Sequence, residues 1–358
     1  MKIVVLSDKK PGHFKQSLGI IQNIPDCDSE WIDIAFKSKW RDNLLRAFMC
    51  MFGGIPLPTS LIHALLRRCL ESSSYNSLYL LQEADLILST GSSVAAVNLL
   101  LGKLLNAKTA TCLRPSPVGV RHFNLAILPM VYWKKQKNRP TICQTIGIPN
   151  PISVEVLNSE RSILQNILKL KQRKRIGLLI GGTDKHETIS LADARELYNS
   201  CKSLATTLRL QFLLTTSRRT PPEVTQFLMS NFEKEAWCPL FITPDTVSEI
   251  DDPYQAILAL SDILIVSADS FSMVCEAASS GRNVFVLEFS HKTTHRLPKR
   301  YNTYHYMEEN GILTLLKMEE LQDAITGSFD SDTSINRLQD ADKAVTAILE
   351  MMKAFNKD

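Results

Sequence analysis

SDILIVSADSFSMVCEAASSGRNVFVLEF, residues 261–289, is the stretch on which the fold turns. Ile263, Leu264, Ile265 and Val266 form a continuous apolar run, the pattern of a strand buried on both faces of a parallel sheet. The SADS that follows puts small hydroxyl and carboxyl side chains where a helix start needs caps. Met273, Ala277 and Ala278 then supply a narrow apolar face with Glu276 one turn in. Gly281 stops the helix, and Val284 to Phe289 resume a strand. A strand–helix–strand unit of this kind turns at the carboxyl edge of its sheet, where open α/β folds bind ligands. N–H groups at such a helix start attract phosphates, and a carboxylate slightly further on can accept hydrogen bonds from ribose hydroxyls. The unit reads as half of a nucleotide-sugar pocket, with Asp269, Ser270, Ser272 and Glu276 on the donor.

The same grammar extends outward in both directions. Toward the C-terminus, residues after Leu321 read as helical through Met352, with a break at 327–333. Toward the N-terminus, IGLLIGG at 176–182, LQFLLTTS at 210–217 and LFIT at 240–243 read as strands, and TPPEVTQFLMSNF as a helix opened by prolines. Before residue 150 the alternation recurs in Ile3–Leu6, Trp31–Ala35, Asp85–Ser89, Thr109–Cys112 and Leu125–Leu128, with helices after SDKKPGHFKQ and within TGSSVAAVNLLLGKLL. Strands alternating with helices imply parallel sheets. Between them, residues 150–175 are a polar turn, an amphipathic helix and a basic run, which reads as a crossing between domains. The expected architecture is α/β, two Rossmann-like domains facing across a cleft in the GT-B manner. The expected boundaries are 1–150 for an acceptor domain, 151–330 for a donor domain and 331–358 for a terminal helix.

Bulk properties narrow the partners. A chain of 358 residues is long for one domain, and 44% apolar with 22% charged residues is globular rather than disordered. A net charge of +4 is too small to call for nucleic acid, and none is expected. The eight cysteines include no C-x-x-C pair, and no His/Cys cluster has zinc spacing, so no metal is expected and free thiols in a reducing cytosol are. MKIVVLSDKK reads as a strand rather than a signal peptide, and no apolar run is long enough to cross a bilayer.

Two further loops at the donor edge hold candidate residues. Gly181 and Gly182 can let a ligand approach the backbone, and Lys185 can reach a phosphate. Ser217 and Arg218 lie after QFLL, where an arginine pair with Arg219 can fork onto a diphosphate. In the first domain, Pro11-Gly12 is read as a tight turn that brings Asp8 and His13 toward the cleft. Either can act as general base, or Asp8 can simply cap the helix. Gly12, Gly91 and Ser92 are the expected acceptor contacts. Between Trp40 and Leu70, Leu44, Leu45, Phe48, Met49 and Phe52 make an apolar stripe among Lys37, Lys39, Arg41 and Arg46, with Arg67 and Arg68 beyond. Such a basic amphipathic pair can lie on an anionic membrane surface or pack its stripe into its own domain.

SDKKPGHFKQSLG at 7–19, LLIGGTDKH at 178–186, TTSRRTP at 215–221, SADSFSMVCEAASSGRNVFV at 267–286 and RYNTYHYMEENGI at 300–312 together resemble the mitochondrial-fission elongated-mitochondria family, a GT-B-like group. The chain departs from that pattern at Phe123-Asn124 and Pro129-Met130-Val131, where the family carries an acid and a His-Asp pair. The donor half is also similar to that of inverting GT-B glycosyltransferases. The resemblance implies a cytoplasmic, metal-independent enzyme without a cofactor, peripheral on a membrane or not. It would transfer a sugar from a nucleotide-sugar to an envelope lipid or glycan, with Glu276 on the ribose. It equally implies, as the alternative, a non-catalytic scaffold for membrane or protein partners. The D-x-D triplets at Asp26/Asp28, Asp330/Asp332 and Asp340/Asp342 belong to no candidate loop. An NAD-dependent epimerase is disfavoured because no G-x-G-x-x-G follows the first strand.

Overall fold

The structure, a computed structural model, describes residues 1–131, 139–246, 250–289, 298–329 and 335–355. The chain forms two compact units, residues 1–151 with 339–358, and residues 152–338. In the first unit the order is β1 (Lys2–Ser7), α1 (Pro11–Ile21), β2 (Asp28–Asp33), α2 (Lys39–Phe52), α3 (Thr59–Cys69) and α4 (Ser72–Tyr79). There follow β3 (Leu86–Thr90), α5 (Ala95–Leu105), β4 (Lys108–Cys112), β5 (Leu125–Pro129) and β6 (Ile142–Thr145). The strands pair in the order β2-β1-β3-β4-β5-β6, every pair parallel.

Alternate side chains of β1 explain the layering. Val4 and Leu6 join a core with Leu45, Met49, Ile62, Leu66 and Leu100, so α2, α3 and α5 cover that face. Ile3 and Val5 join the opposite core with Ile20, Ile348 and Met352. A strand buried on both faces needs apolar residues at every position, which is why KIVVLS shows no polar alternation.

The second unit runs α6 (Val154–Ile167), β7 (Arg175–Ile180), α7 (Leu191–Thr207), β8 (Gln211–Thr216), α8 (Pro222–Phe232), β9 (Leu240–Ile242) and α9 (Pro253–Leu260). It continues with β10 (Ile263–Ser267), α10 (Phe271–Ser279), β11 (Asn283–Leu287), α11 (Arg300–Glu309), β12 (Thr314–Leu316) and α12 (Leu321–Ser328). Its sheet is again wholly parallel, in the order β12-β11-β10-β7-β8-β9. In each sheet the strand order reverses beside the first strand, between β1 and β3 and between β7 and β10. Those two reversals are where a crevice opens at the carboxyl ends of the strands.

Several expectations change. The final helix, α13 (Asp340–Phe355), does not stand apart but packs on α1, β5 and β6 of the first unit. Asp340 at its start accepts the N–H groups of Ile146 and Gly147 at 2.9 and 2.7 Å. The second strand begins at Asp28, three residues ahead of Trp31, because its pairing with β1 runs from Asp28 to Asp33. Pro11-Gly12 is no turn. Pro11 opens α1, where a missing N–H costs nothing, and the chain turns instead at Lys9, φ 62°. The single stripe expected on 44–52 is divided: Leu45 and Met49 enter the core while Leu44 faces solvent. Among the described residues, no helix is long and apolar enough to cross a membrane.

Candidate functional site

In the second unit, β7 and β10 are parallel neighbours and therefore release their next residues at the same edge. Gly181 donates its N–H to Ser267 Oγ at 2.5 Å, and Gly182 donates to Asp269 Oδ2 at 2.9 Å. A Cβ on Gly181 would fall 2.2 Å from Asp269 Oδ1, and one on Gly182 would fall 2.0 Å from the Arg219 carbonyl oxygen. The room expected for a ligand is thus taken by the protein's own loops, and glycine is required for their close approach. Asp269 is the hub. Burial raises its pKa, opposed by the Gly182 N–H, Ser267, and the charges of Arg219 and Arg300.

The two arginines expected to act as a pair diverge. Both are exposed and line an open groove of about 690 Å³ with Thr183, Thr188, Ser190 and Glu223, but only Arg219 binds Asp269, at 2.9 Å from Oδ2, whereas Arg218 has no ion pair among the described residues. Ser217 Oγ donates to the Gly181 carbonyl at 2.9 Å, which ties the β8 loop to the glycine loop. Asp184 accepts the N–H groups of His186 and Glu187 at 2.7 and 2.8 Å, and the tight turn they make leaves Lys185 exposed.

At the start of α10, Ser270 is buried and its side chain makes no cap. The amides of Phe271, Ser272 and Met273 have no partner among the described residues, and unpaired N–H groups at a helix start attract anions. Ser272 is half-buried beside them. Glu276 is only 4% exposed and lies near the Tyr254 phenol of α9. Burial first, and that carboxylate next, push the Tyr254 phenol well above its usual pKa.

Arg300 is not among the residues that the sequence singles out, although the RYNTYHY motif containing it is. Arg300 donates Nε to the Ala268 carbonyl at 2.9 Å and Nη1 to Asp184 at 2.7 Å, and it pairs with Glu187 through Nη2. Tyr304 donates to the same Ala268 carbonyl at 2.9 Å, and Tyr301 donates to Glu187. The Tyr304 ring stacks on Phe271 with centroids 6.0 Å apart. Helix α11 therefore clamps the β10–α10 turn to the β7 loop.

The first unit builds a second cluster at its own reversal. Asp8, after β1, meets Ser93, after β3: Ser93 Oγ donates to Asp8 Oδ2 at 2.6 Å. Both carboxylate oxygens lie 3.0 Å from His13 Nδ1, and Lys10 Nζ donates at 2.8 Å. Burial would raise the Asp8 pKa, but hydrogen bonds from His13, Lys10 and Ser93 overcome it and hold the carboxyl far below its usual range. A carboxylate can only accept, so Nδ1 carries the proton and Nε2 is the lone-pair nitrogen of the neutral ring. Asp8 does not cap α1, which has no side-chain cap. Gly91 (φ 86°) packs against the imidazole, where a Cβ would meet His13 Cε1 at 2.3 Å. Ser92 Oγ donates to the Arg114 carbonyl at 3.4 Å. Gly12 is exposed, and a Cβ there would meet nothing within 4 Å, so packing does not demand glycine at this position.

Of the acidic triplets, Asp340 is committed to backbone N–H groups, and Asp330/Asp332 lie outside the described residues. No group of three or more His, Cys, Asp or Glu able to hold a metal occurs among the described residues.

Comparison with known proteins places this geometry in a family. The family described as Mitochondrial fission ELM1 matches residues 11–352. Uncharacterized protein RP120 of Rickettsia prowazekii (strain Madrid E) is 27% identical over 141 residues, 39% of this chain and 38% of that protein. The match therefore spans well under half of that relative's length. Among solved structures, a candidate UDP-N-acetylglucosamine 2-epimerase from Listeria monocytogenes superposes with a TM-score of 0.61 at 15% identity, over 100% of this chain and 97% of that one. UDP-GlcNAc 2-epimerase from Methanocaldococcus jannaschii gives 0.55 at 10% identity, over 99% of each chain. Its complex with UDP-GlcNAc and UDP gives 0.51 at 12%, also over 99% of each. At these identities the likeness shows the fold, which is the two-domain GT-B fold.

Proposed function

Because this chain belongs to the mitochondrial fission ELM1 family and has the GT-B fold, we propose that it is an inverting glycosyltransferase using a nucleotide-sugar donor. The acceptor is a hydroxyl of an envelope lipid or glycan. The observation that carries the proposal is the Asp8–His13 pair: a buried carboxylate that fixes the imidazole tautomer is what a general base needs and a scaffold does not. His13 Nε2 removes the acceptor proton as the acceptor oxygen bonds to the anomeric carbon. The bond from that carbon to the departing diphosphate breaks on the opposite face, and the imidazolium is held by Asp8.

The donor is assigned to the second unit. The open amides of α10 meet the diphosphate, Arg218 and Lys185 supply positive charge, and this arrangement needs no metal ion. Glu276 binds the ribose hydroxyls. The UDP-GlcNAc and UDP bound by the Methanocaldococcus protein support a donor of this class.

Titration calorimetry with UDP-, GDP-, ADP- and CMP-sugars tests the donor. At least one is expected to bind, with affinity lost in Ser270→Pro and Arg218→Ala, and heat from none of them by folded protein would remove the proposal. His13→Ala is expected to leave donor binding intact and to lower turnover by about 10² to 10⁴-fold. Product analysis separates transfer from epimerisation of the bound sugar. The second reading, a non-catalytic scaffold, is favoured by the burial of Glu276, which leaves only 4% of the residue exposed to a ligand. It predicts that His13→Ala changes no cellular phenotype.

A further inference from the structure

We infer that the outer faces of α2 and α3 form a docking surface for an anionic lipid bilayer. Helix α2 is apolar on two opposite sides. Leu45 and Met49 enter the core, and roughly half a turn away Trp40 (64% exposed), Leu44 (49%) and Met51 (65%) point to solvent. Ile55 in the connecting turn and Leu61 on α3 extend the exposed apolar set. A surface helix ordinarily places charge on that outer side.

The charge around this face identifies what covers it. From Phe36 to Leu70 the chain has six basic residues and one acid, a net of +5, whereas the whole chain carries +4, so everything outside this segment sums to −1. The one acid, Asp42, is buried and bound by Arg46 through two hydrogen bonds of 2.7 and 2.8 Å. Lys37 and Arg41 donate to the carbonyls of Arg67 and Arg68 at 2.7 and 2.5 Å. Those contacts bring the cations of both helices to one end and neutralise none of them. Lys39, Arg67 and Arg68 are exposed, with no carboxylate partner among the described residues. Trp40 sits between Lys39 and Arg41. An exposed apolar row carrying an indole, rimmed by uncompensated cations, matches the boundary between acyl chains and anionic headgroups. The inference holds whether the chain transfers sugar or serves as a scaffold.

Flotation of the full chain with vesicles tests it, using phosphatidylcholine alone and phosphatidylcholine mixed with phosphatidylglycerol. The protein is expected to float only with the anionic vesicles, to be released by salt, and to show a blue shift of tryptophan emission that is absent in Trp40→Phe. Lys39→Glu with Arg68→Glu, and separately Leu44→Ser with Met51→Ser, are expected to weaken partitioning on the order of tenfold or more. These side chains face solvent, so an unchanged thermal midpoint is the control for folding. Equal flotation with neutral vesicles, or no flotation with either, would overturn the inference. So would a dimer in sizing experiments that Leu44→Ser with Met51→Ser disperses while lipid binding is absent, because the occupant would then be a second copy.

Discussion

Gly182 and Gly12 look alike in the sequence, each in a short polar stretch after a strand, yet their surroundings are opposite. A methyl at 182 collides with the Arg219 backbone, which cannot move without breaking its bond to the Thr183 N–H. Gly182→Ala is expected to destabilise the second unit by about 1–3 kcal/mol, read by urea denaturation. Gly12→Ala meets open space in the first turn of α1 and is expected to be neutral or to stabilise by about 0.4–1 kcal/mol. If Gly12→Ala abolishes acceptor turnover while the fold is intact, the acceptor approaches that backbone directly. Asp8 and His13 were both legible as candidates. What could not be read was that Asp8 is held charged, because Ser93, which helps to hold it so, lies 85 residues away.

At the scale of elements, the β10–α10 turn depends on α11. Arg300 is the common cation for Asp184, Glu187 and the Ala268 carbonyl, and Glu187 is buried. Arg300→Ala leaves Glu187 without its counter-charge, and a loss of about 3–5 kcal/mol is expected in equilibrium unfolding. Arg300→Lys keeps the charge but not the fork, so it should fall between wild type and Arg300→Ala. A variant as stable as wild type would mean that α11 does not hold the turn. The central strands were plain in the sequence because burial on both faces demands unbroken apolar runs, as in LILST and ILIVS. Some edge and short elements were not. Ile142–Thr145 is buried only at alternate positions, Thr314–Leu316 is three residues long, and SSSYNSLY has little apolar character of its own.

For the whole molecule, α13 makes the first unit discontinuous in sequence. Val345, Ile348 and Met352 complete the core that Ile3, Ile20 and Ile127 begin. Ending the chain at Leu338 removes these three buried side chains and the Asp340 contacts. The first unit is expected to lose about 5 kcal/mol or more, seen by calorimetry as an earlier transition for that unit alone. A single unshifted transition would show that the helix adds nothing to it.

The sequence by itself determined that two parallel α/β sheets form, and where their central strands run. Those are local consequences of apolar runs and helix caps. Only the tertiary structure decided that Asp269 locks the loops together, that Arg219 rather than Arg218 pairs with it, that α2 keeps an apolar row outside, and that Glu276 is buried near Tyr254. Each depends on which distant segment is packed beside it, and spacing along the chain carries no information about that neighbour.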